Sequence, residues 1–318
     1  MEFVRGYLDG AVKVLIYGPE GIGKSTLASM FPDPVYIDTE GSTKRLDVAR
    51  FPESDTWKQI TNNVDYIINH PNACKTLVID TLDRAEVRCS EDLLKENNKS
   101  GIEDFGYGKG YVYLQEKFQA FLDKLDKVSK LGVHVVLVAH ACMRKFEQPD
   151  EMGAYDRWEL KLSKKDAPIA KEWADMVLFC NYKTMVINVD DKGAIKGKNK
   201  AQGGKRVIYS THHACWDAKN RYGLPEEMPL SYEAISHVIS ADVPKPETNV
   251  KRLMNLMESD GIFEGDIQNL AVDHPNWGVA QTTPVNEYPE NLAAFLVNEW
   301  GKVKEMIAAI RSEIPFVD

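Results

Sequence analysis

The sequence predicts an α/β protein with a mainly parallel central sheet, an antiparallel edge hairpin and a small helical C-terminal appendage. Three observations lead there. Short β-branched runs alternate with amphipathic stretches, a glycine-rich turn joins the first run to a helix start, and strand-like runs give way to helical periodicity beyond residue 241. A chain of 318 residues with 43% hydrophobic content is long enough for one or two ordinary cores and too apolar for a disordered polymer.

Taken in order, VKVLIY (12–17), VYID (35–38), TLVID (76–80) and VHVVLVAH (133–140) are buried strands by length and composition. Between the last two, Leu114, Phe118, Phe121, Leu122, Leu125 and Val128 recur at steps of three and four, the mark of a helix laying one face on a core. After Asp175, MVLFC, TMVINV and RVIYST are separated by glycine and lysine rather than by a helix, and read as antiparallel strands on the sheet edge. The prolines of ADVPKPETN divide the chain into a core over residues 1–240, a linker over 241–249 and a helical domain over 250–318. In that last domain Leu292, Phe295, Leu296, Trp300, Val303, Ile307 and Ile310 form an apolar stripe.

Composition excludes several classes of function. The longest mainly apolar stretch, VHVVLVAHAC from Val133, is about half the roughly 20 residues a membrane span requires, and the N-terminus lacks a basic-then-apolar signal. A soluble cytoplasmic protein with no membrane partner is expected. Cys74, Cys89, Cys142, Cys180 and Cys215 are odd in number and lack any C-x-x-C spacing, so neither a disulfide framework nor a zinc knuckle is indicated. The net charge is −9, of which −6 lies from Lys245 onward, so a polyanion would need a local basic surface.

Residues 18–25 read GPEGIGKS and match G-x-x-x-x-G-K-[ST] directly after an apolar strand and before a helix start. In such a loop Gly18, Pro19, Glu20, Gly21, Ile22, Gly23, Lys24, Ser25 and Thr26 enclose the phosphates of ATP. The glycines let backbone N–H groups converge, Lys24 reaches the β- and γ-phosphates, and the Ser25 hydroxyl ligates Mg²⁺. Asp80, ending TLVID, is placed to hold the same Mg²⁺.

The segment VYIDTEGSTKRLD resembles the strand-and-glutamate motif of RecA/RadA-type recombinase ATPases. That resemblance implies that Glu40 polarises the attacking water, a task open to a carboxylate beside the Asp80 strand; a surface-loop glutamate is the plain alternative. His140 stands where RecA-like proteins place a γ-phosphate sensor, commonly glutamine; a histidine satisfied at the core edge is the alternative. WDAKNRYGLP resembles the family's K-N-[KR] segment, which implies that Lys219 and Arg221 reach ATP on a neighbouring subunit of a homo-oligomer. Together with ENNKSGIEDFGYGKGYVYL and VVLVAH, these segments resemble phage RecA-like proteins grouped with Sak-type single-strand annealing ATPases over about residues 10–232. A phage-encoded protein acting on single-stranded DNA in recombination or annealing is implied.

Three segments offer contacts to single strands. Lys99, Phe105, Tyr107 and Lys109 lie in 97–111, and Arg144, Lys145 and Phe146 lie in 141–158; both are expected to be loops with cations and aromatics for phosphates and bases. The third, 190–206, has six basic and two acidic residues. The acidic helical domain suits a protein partner, such as a single-strand-binding or annealing protein, and its SEIPFVD end resembles the acidic-Ile-Pro-Phe tail of bacterial single-strand-binding proteins. Two other functions use the same phosphate loop: a small-molecule (nucleotide) kinase, and an assembly module in which nucleotide only gates oligomerisation.

Overall fold

The computed structural model describes residues 10–52, 54–147, 153–188, 199–239, 243 and 247–313. The lysine-rich residues 190–198, residues 241, 242 and 244–246 of the expected linker, and the final IPFVD lie outside the described residues. The chain divides into two compact units, Met1–Ile67 with Pro71–Pro244, and Ile68–His70 with Lys245–Asp318.

In the first unit the elements run β1 (Lys13–Gly18), α1 (Lys24–Ala28), β2 (Pro34–Asp38), β3 (Ala49–Arg50), α2 (Trp57–Asn69), β4 (Thr76–Asp80), α3 (Leu82–Glu96) and α4 (Lys109–Lys130). They continue with β5 (His134–Glu147), β6 (Ala154–Leu160), α5 (Asp166–Trp173), β7 (Met176–Asn188), β8 (Asn199–Tyr209) and β9 (Glu227–Pro229). The sheet order is β3-β2-β4-β5-β1-β7-β8-β9, parallel as far as β7 and antiparallel through β8 and β9. The strand ending at Asp80 thus lies one strand away from the strand that feeds the glycine loop. This is a mainly parallel α/β architecture with an antiparallel edge, as the sequence predicts.

The central strands are covered on both faces, so β1, β4 and the first six residues of β5 are buried almost throughout rather than alternating. Val14, Ile16, Val78, Val136, Val138 and Leu178 pack on one side with Ile22, Leu27 and Tyr36. Helix α4 buries Leu114, Phe118, Phe121, Leu122, Leu125 and Val128, the positions its spacing picks out. Each such side chain removed from water stabilises the fold by about 2 kcal/mol before entropy is counted.

Two expectations are corrected. MVLFC is not an antiparallel edge strand: it pairs parallel with β1, Val14 opposite Met176, and runs on through TMVIN as one strand, β7. The strand runs unbroken through Cys180–Thr184, with neither glycine nor proline there, and its pairing with β8 shifts register between Lys183 and Thr184. Nor are residues 141–147 and 154–158 a loop, because β5 continues past His140 and pairs with β6, from Ala141 opposite Leu160 to Glu147 opposite Ala154; residues 148–152 of that segment lie outside the described residues.

The second unit is helical: α6 (Asn249–Asp260), α7 (Glu264–Asp273), α8 (Glu290–Asn298) and α9 (Trp300–Glu313). Leu253, Met257, Ile267, Leu270, Leu292, Leu296, Trp300, Val303 and Ile307 make its core. The buried Glu290 carboxylate accepts from the Asn249 and Val250 N–H groups at 2.9 and 3.4 Å, and Thr248 accepts from the Lys251 N–H at 3.1 Å. Donors at the start of α6 that would otherwise be unpaired are satisfied in this way. Among the described residues no helix is long and apolar enough to cross a membrane.

Candidate functional site: a phosphate loop with a buried carboxylate

The loop between β1 and α1 is shaped by its glycines. Gly21 and Gly23 sit at φ of +72° and +111°, a region that side-chain-bearing residues avoid. A Cβ on Gly18 would stand 2.2 Å from the Cys180 carbonyl oxygen, so that position is closed to any larger residue by the approach of β7. Lys24 is buried and folds back on the loop, its Nζ donating to the carbonyls of Gly18 and Pro19 at 3.1 and 2.9 Å. Burial holds its ammonium below the usual lysine range, against the pull of Cys180, Asp80 and Asp83. Tyr36 on β2 donates to the Ser25 carbonyl at 2.9 Å and ties α1 to the sheet.

Asp80 is 1% exposed, and neither carboxylate oxygen makes a hydrogen bond of ordinary geometry, although the Ser25 hydroxyl faces it. Burial pushes its carboxyl up to about 6, with Ser25 and Lys24 opposing and Asp38 and Glu40 reinforcing the rise. A buried carboxylate without donors, facing a hydroxyl beside a lysine, fits a divalent cation held by oxygen ligands.

Glu40 follows β2 in a loop organised by Asp38. The Asp38 carboxylate accepts the backbone N–H groups of Glu40, Gly41, Ser42 and Thr43 at 3.1, 2.7, 3.2 and 2.9 Å, and the Thr43 hydroxyl at 2.6 Å. Burial alone would raise the Asp38 carboxyl; these donors outweigh it and hold the group below the ordinary value. Thr39 Oγ1 accepts the Thr81 N–H at 2.8 Å and donates to the Thr81 carbonyl at 3.0 Å, locking the loop to the end of β4. The Thr81 hydroxyl donates to Glu40 Oε1 at 2.9 Å.

His140 lies opposite Gly18 in the β1–β5 ladder, at the mouth of the loop. Its Nδ1 is 3.0 Å from Asp83 Oδ2 and 3.9 Å from Glu40 Oε1, and its N–H donates to Asp83 Oδ1 at 2.9 Å. The Asp83 hydrogen bond raises the His140 ring above its ordinary value, with burial opposing. Burial would raise Asp83, but the His140 side chain and backbone hold it down. Glu40, Asp83 and His140 bring one ligand atom each to within 4.8 Å of one another, and the Asp83–His140 hydrogen bond accounts for that closeness.

Residues 11–222 match the family model described as an AAA domain. The chain belongs to that AAA domain family. Family membership and the phosphate loop together support nucleotide binding and ATPase activity. No curated protein matches the sequence. Among solved structures, a KaiC-like protein from Pyrococcus horikoshii OT3 is similar at 13% identity and a TM-score of 0.39, over 69% of this chain and 85% of that one. The flagellar accessory protein FlaH from Methanocaldococcus jannaschii is similar at 9% identity and a TM-score of 0.32, over 64% and 86%.

The remaining predicted residues of the AAA domain lie elsewhere. Lys219 Nζ donates to the carbonyls of Lys171, Glu172 and Ala174 at 3.2, 3.0 and 2.6 Å and so caps the C-terminal end of α5. Arg221 is more exposed and pairs with Asp175 at 3.0 Å. In the segment before α4, Tyr107 is fully exposed at φ +48°, between Gly106 and Gly108 at +72° and +70°. Lys99 lies 5.9 Å over the Phe105 ring, which packs edge-on against Tyr113 at 5.5 Å, and Lys109 is exposed at the start of α4. On the β5–β6 ribbon Arg144 donates to the Leu162 carbonyl at 2.8 Å and Phe146 packs on Tyr155 at 5.6 Å, with Arg157 4.9 Å over the same ring; Lys145 is exposed. His213 stacks on Trp216 at 4.1 Å while His212 faces Asp217 at 3.3 Å.

Sequence reasoning did not single out Asp38, Thr39, Thr81 or Asp83. Asp38 carries a local signal, since an aspartate followed by T-E-G-S-T offers a carboxylate to a run of free N–H groups.

Proposed function

We propose that this protein is a Mg²⁺-dependent ATPase whose hydrolysis is coupled to single-stranded DNA during phage recombination or annealing. The buried Asp80 carboxylate, unsatisfied and facing Ser25 next to Lys24, carries the ATPase part of the reading. Ser25 and Asp80 would hold the cation, which when bound neutralises charge on the β- and γ-phosphates. Lys24 binds the phosphate tail after exchanging the Gly18 and Pro19 carbonyls for phosphate oxygens. Glu40, kept in place by Asp38 and Thr81, accepts a proton from the attacking water. His140 meets the terminal phosphate. Arg221 acts across a subunit interface of a homo-oligomer, whereas Lys219 would have to leave three carbonyls to do so.

The DNA part rests on Tyr107, an aromatic ring held fully in solvent by a left-handed backbone among Lys99, Phe105 and Lys109. A ring that packs on nothing is suited to stacking on unpaired bases. The helical unit is the proposed seat of a single-strand-binding or annealing partner.

Phosphate release from ATP, with Mg²⁺, by the wild type and by Glu40→Gln tests the reading. Retained ATP binding with hydrolysis lowered about 100-fold or more is expected. Unchanged hydrolysis in Glu40→Gln contradicts it, and a phosphorylated nucleoside or nucleotide product identifies a kinase instead.

A further inference from the structure

Asp83 grips His140 at two points, and the chemistry of that grip constrains what the ring does. The backbone N–H donates to Oδ1 at 2.9 Å and Nδ1 lies 3.0 Å from Oδ2. Asp83 is buried in the first turn of α3, so it cannot exchange these contacts for water. An ionised carboxylate only accepts, so Nδ1 must carry a proton. In the neutral ring Nε2 is then a bare lone pair; it becomes a donor only when the ring takes a second proton. Among the described residues no hydrogen bond is formed at Nε2.

The charges around the ring come from three elements. Asp83 on α3 and Glu40 after β2 favour the doubly protonated form, while Lys24 on α1 opposes it. His140 pairs with Gly18, the first residue of the phosphate loop, and its ring lies close enough to feel the charges of Lys24 and Glu40, which puts it beside the groups that would meet a terminal phosphate. A neutral ring in this tautomer would turn a lone pair toward a phosphate oxygen, which is repulsive. A charged ring turns a donor toward it.

We propose that Asp83 is the positioning residue that fixes the His140 proton on Nδ1, so that His140 binds the terminal phosphate of ATP through Nε2 as an imidazolium. The inference rests on the ATPase reading above. It makes the preference for ATP over ADP depend on pH: full where the ring is charged, and lost as pH rises through the ring's elevated value. The pair replaces the glutamine expected at this position with a group that responds to both phosphate and acidity.

The full-length protein is titrated with Mg-ATP and Mg-ADP between about pH 6 and 9 as wild type, Asp83→Asn and His140→Gln. Wild type is expected to lose about tenfold of its ATP preference across that range, the usual worth of one charge-assisted hydrogen bond. In Asp83→Asn the loss moves to lower pH, and in His140→Gln the preference is independent of pH. Nitrogen-15 spectra of histidine-labelled, nucleotide-free wild type, assigned with His140→Gln, read the tautomer directly, so the inference stays testable if Asp83→Asn does not fold. A neutral ring protonated on Nε2 overturns the inference, as does an ATP preference that ignores pH in the wild type. Failure of wild type to bind ATP at any pH overturns the ATPase reading and the phosphate contact together, while the tautomer still reports on Asp83 alone.

Discussion

Asp38 accepts both the backbone N–H and the hydroxyl of Thr43, at 2.9 and 2.6 Å, and with three further N–H groups this closes the turn that carries Glu40. The position of the proposed water-activating carboxylate is therefore set by Asp38, two residues back at the end of β2, together with the Thr81 hydroxyl that donates to Glu40 Oε1.

Replacing Asp38 with Ala frees five donors in a part-buried turn. An Asp38→Ala protein is expected to lose about 2 kcal/mol of stability, and its kcat to fall more than 10-fold with little change in ATP affinity, because Lys24 and Ser25 are untouched. Denaturant unfolding together with steady-state kinetics checks both. An unchanged kcat would mean that Glu40 does not depend on this turn.

Asp80 makes an opposite prediction for stability. Its folded value of about 6 lies above the ordinary carboxylate value, so the group disfavours folding progressively as pH rises through that interval, and fully above it. In the absence of cation and nucleotide, Asp80→Asn is expected to be more stable than wild type at pH 7.5 by on the order of 2–3 kcal/mol, and equal to it near pH 4. Thermal melts at the two pH values, with and without Mg-ATP, test this; Mg-ATP should stabilise the wild type and not the variant.

Tyr107 is exposed, so Tyr107→Ala should leave the melting temperature unchanged. Single-stranded DNA affinity is expected to fall by about 1–3 kcal/mol, the worth of one aromatic–base stack. Equal DNA binding by variant and wild type would remove Tyr107 from the interface.

Lys219 and Arg221 separate by the same logic. Lys219→Ala opens the cap on α5 and is expected to cost about 1 kcal/mol of stability, whereas Arg221→Ala, at an exposed ion pair, should cost less than about 0.5 kcal/mol. If Arg221 acts across an interface, Arg221→Ala lowers hydrolysis only under conditions in which the protein is oligomeric, which light scattering alongside kinetics resolves.

What was legible in the sequence was local. The glycine loop, Lys24 and Ser25 are read from a motif within a few positions, and Asp80 from its place at the end of the apolar run TLVID. The buried stripe of α4 follows from its spacing. The β5–β6 ribbon was missed although ACMRKFE carries some alternation, since cations and aromatics there suggested a loop. MVLFC was misplaced because direction within a sheet is decided by partners far along the chain, here β1. Asp83 could not be read at all: its partner His140 is 57 residues away, and the contact exists only because α3 and β5 meet. The cap that Lys219 makes on α5, 45 residues or more away, is of the same kind.

The most direct test of the account is steady-state ATP hydrolysis with Mg²⁺, with and without single-stranded DNA at low and moderate salt, for wild type and Lys24→Ala. The account predicts hydrolysis that single strands stimulate, more so at low salt, and that Lys24→Ala abolishes. Hydrolysis indifferent to DNA, with no DNA binding even at low salt, or a rate that survives Lys24→Ala, would contradict it.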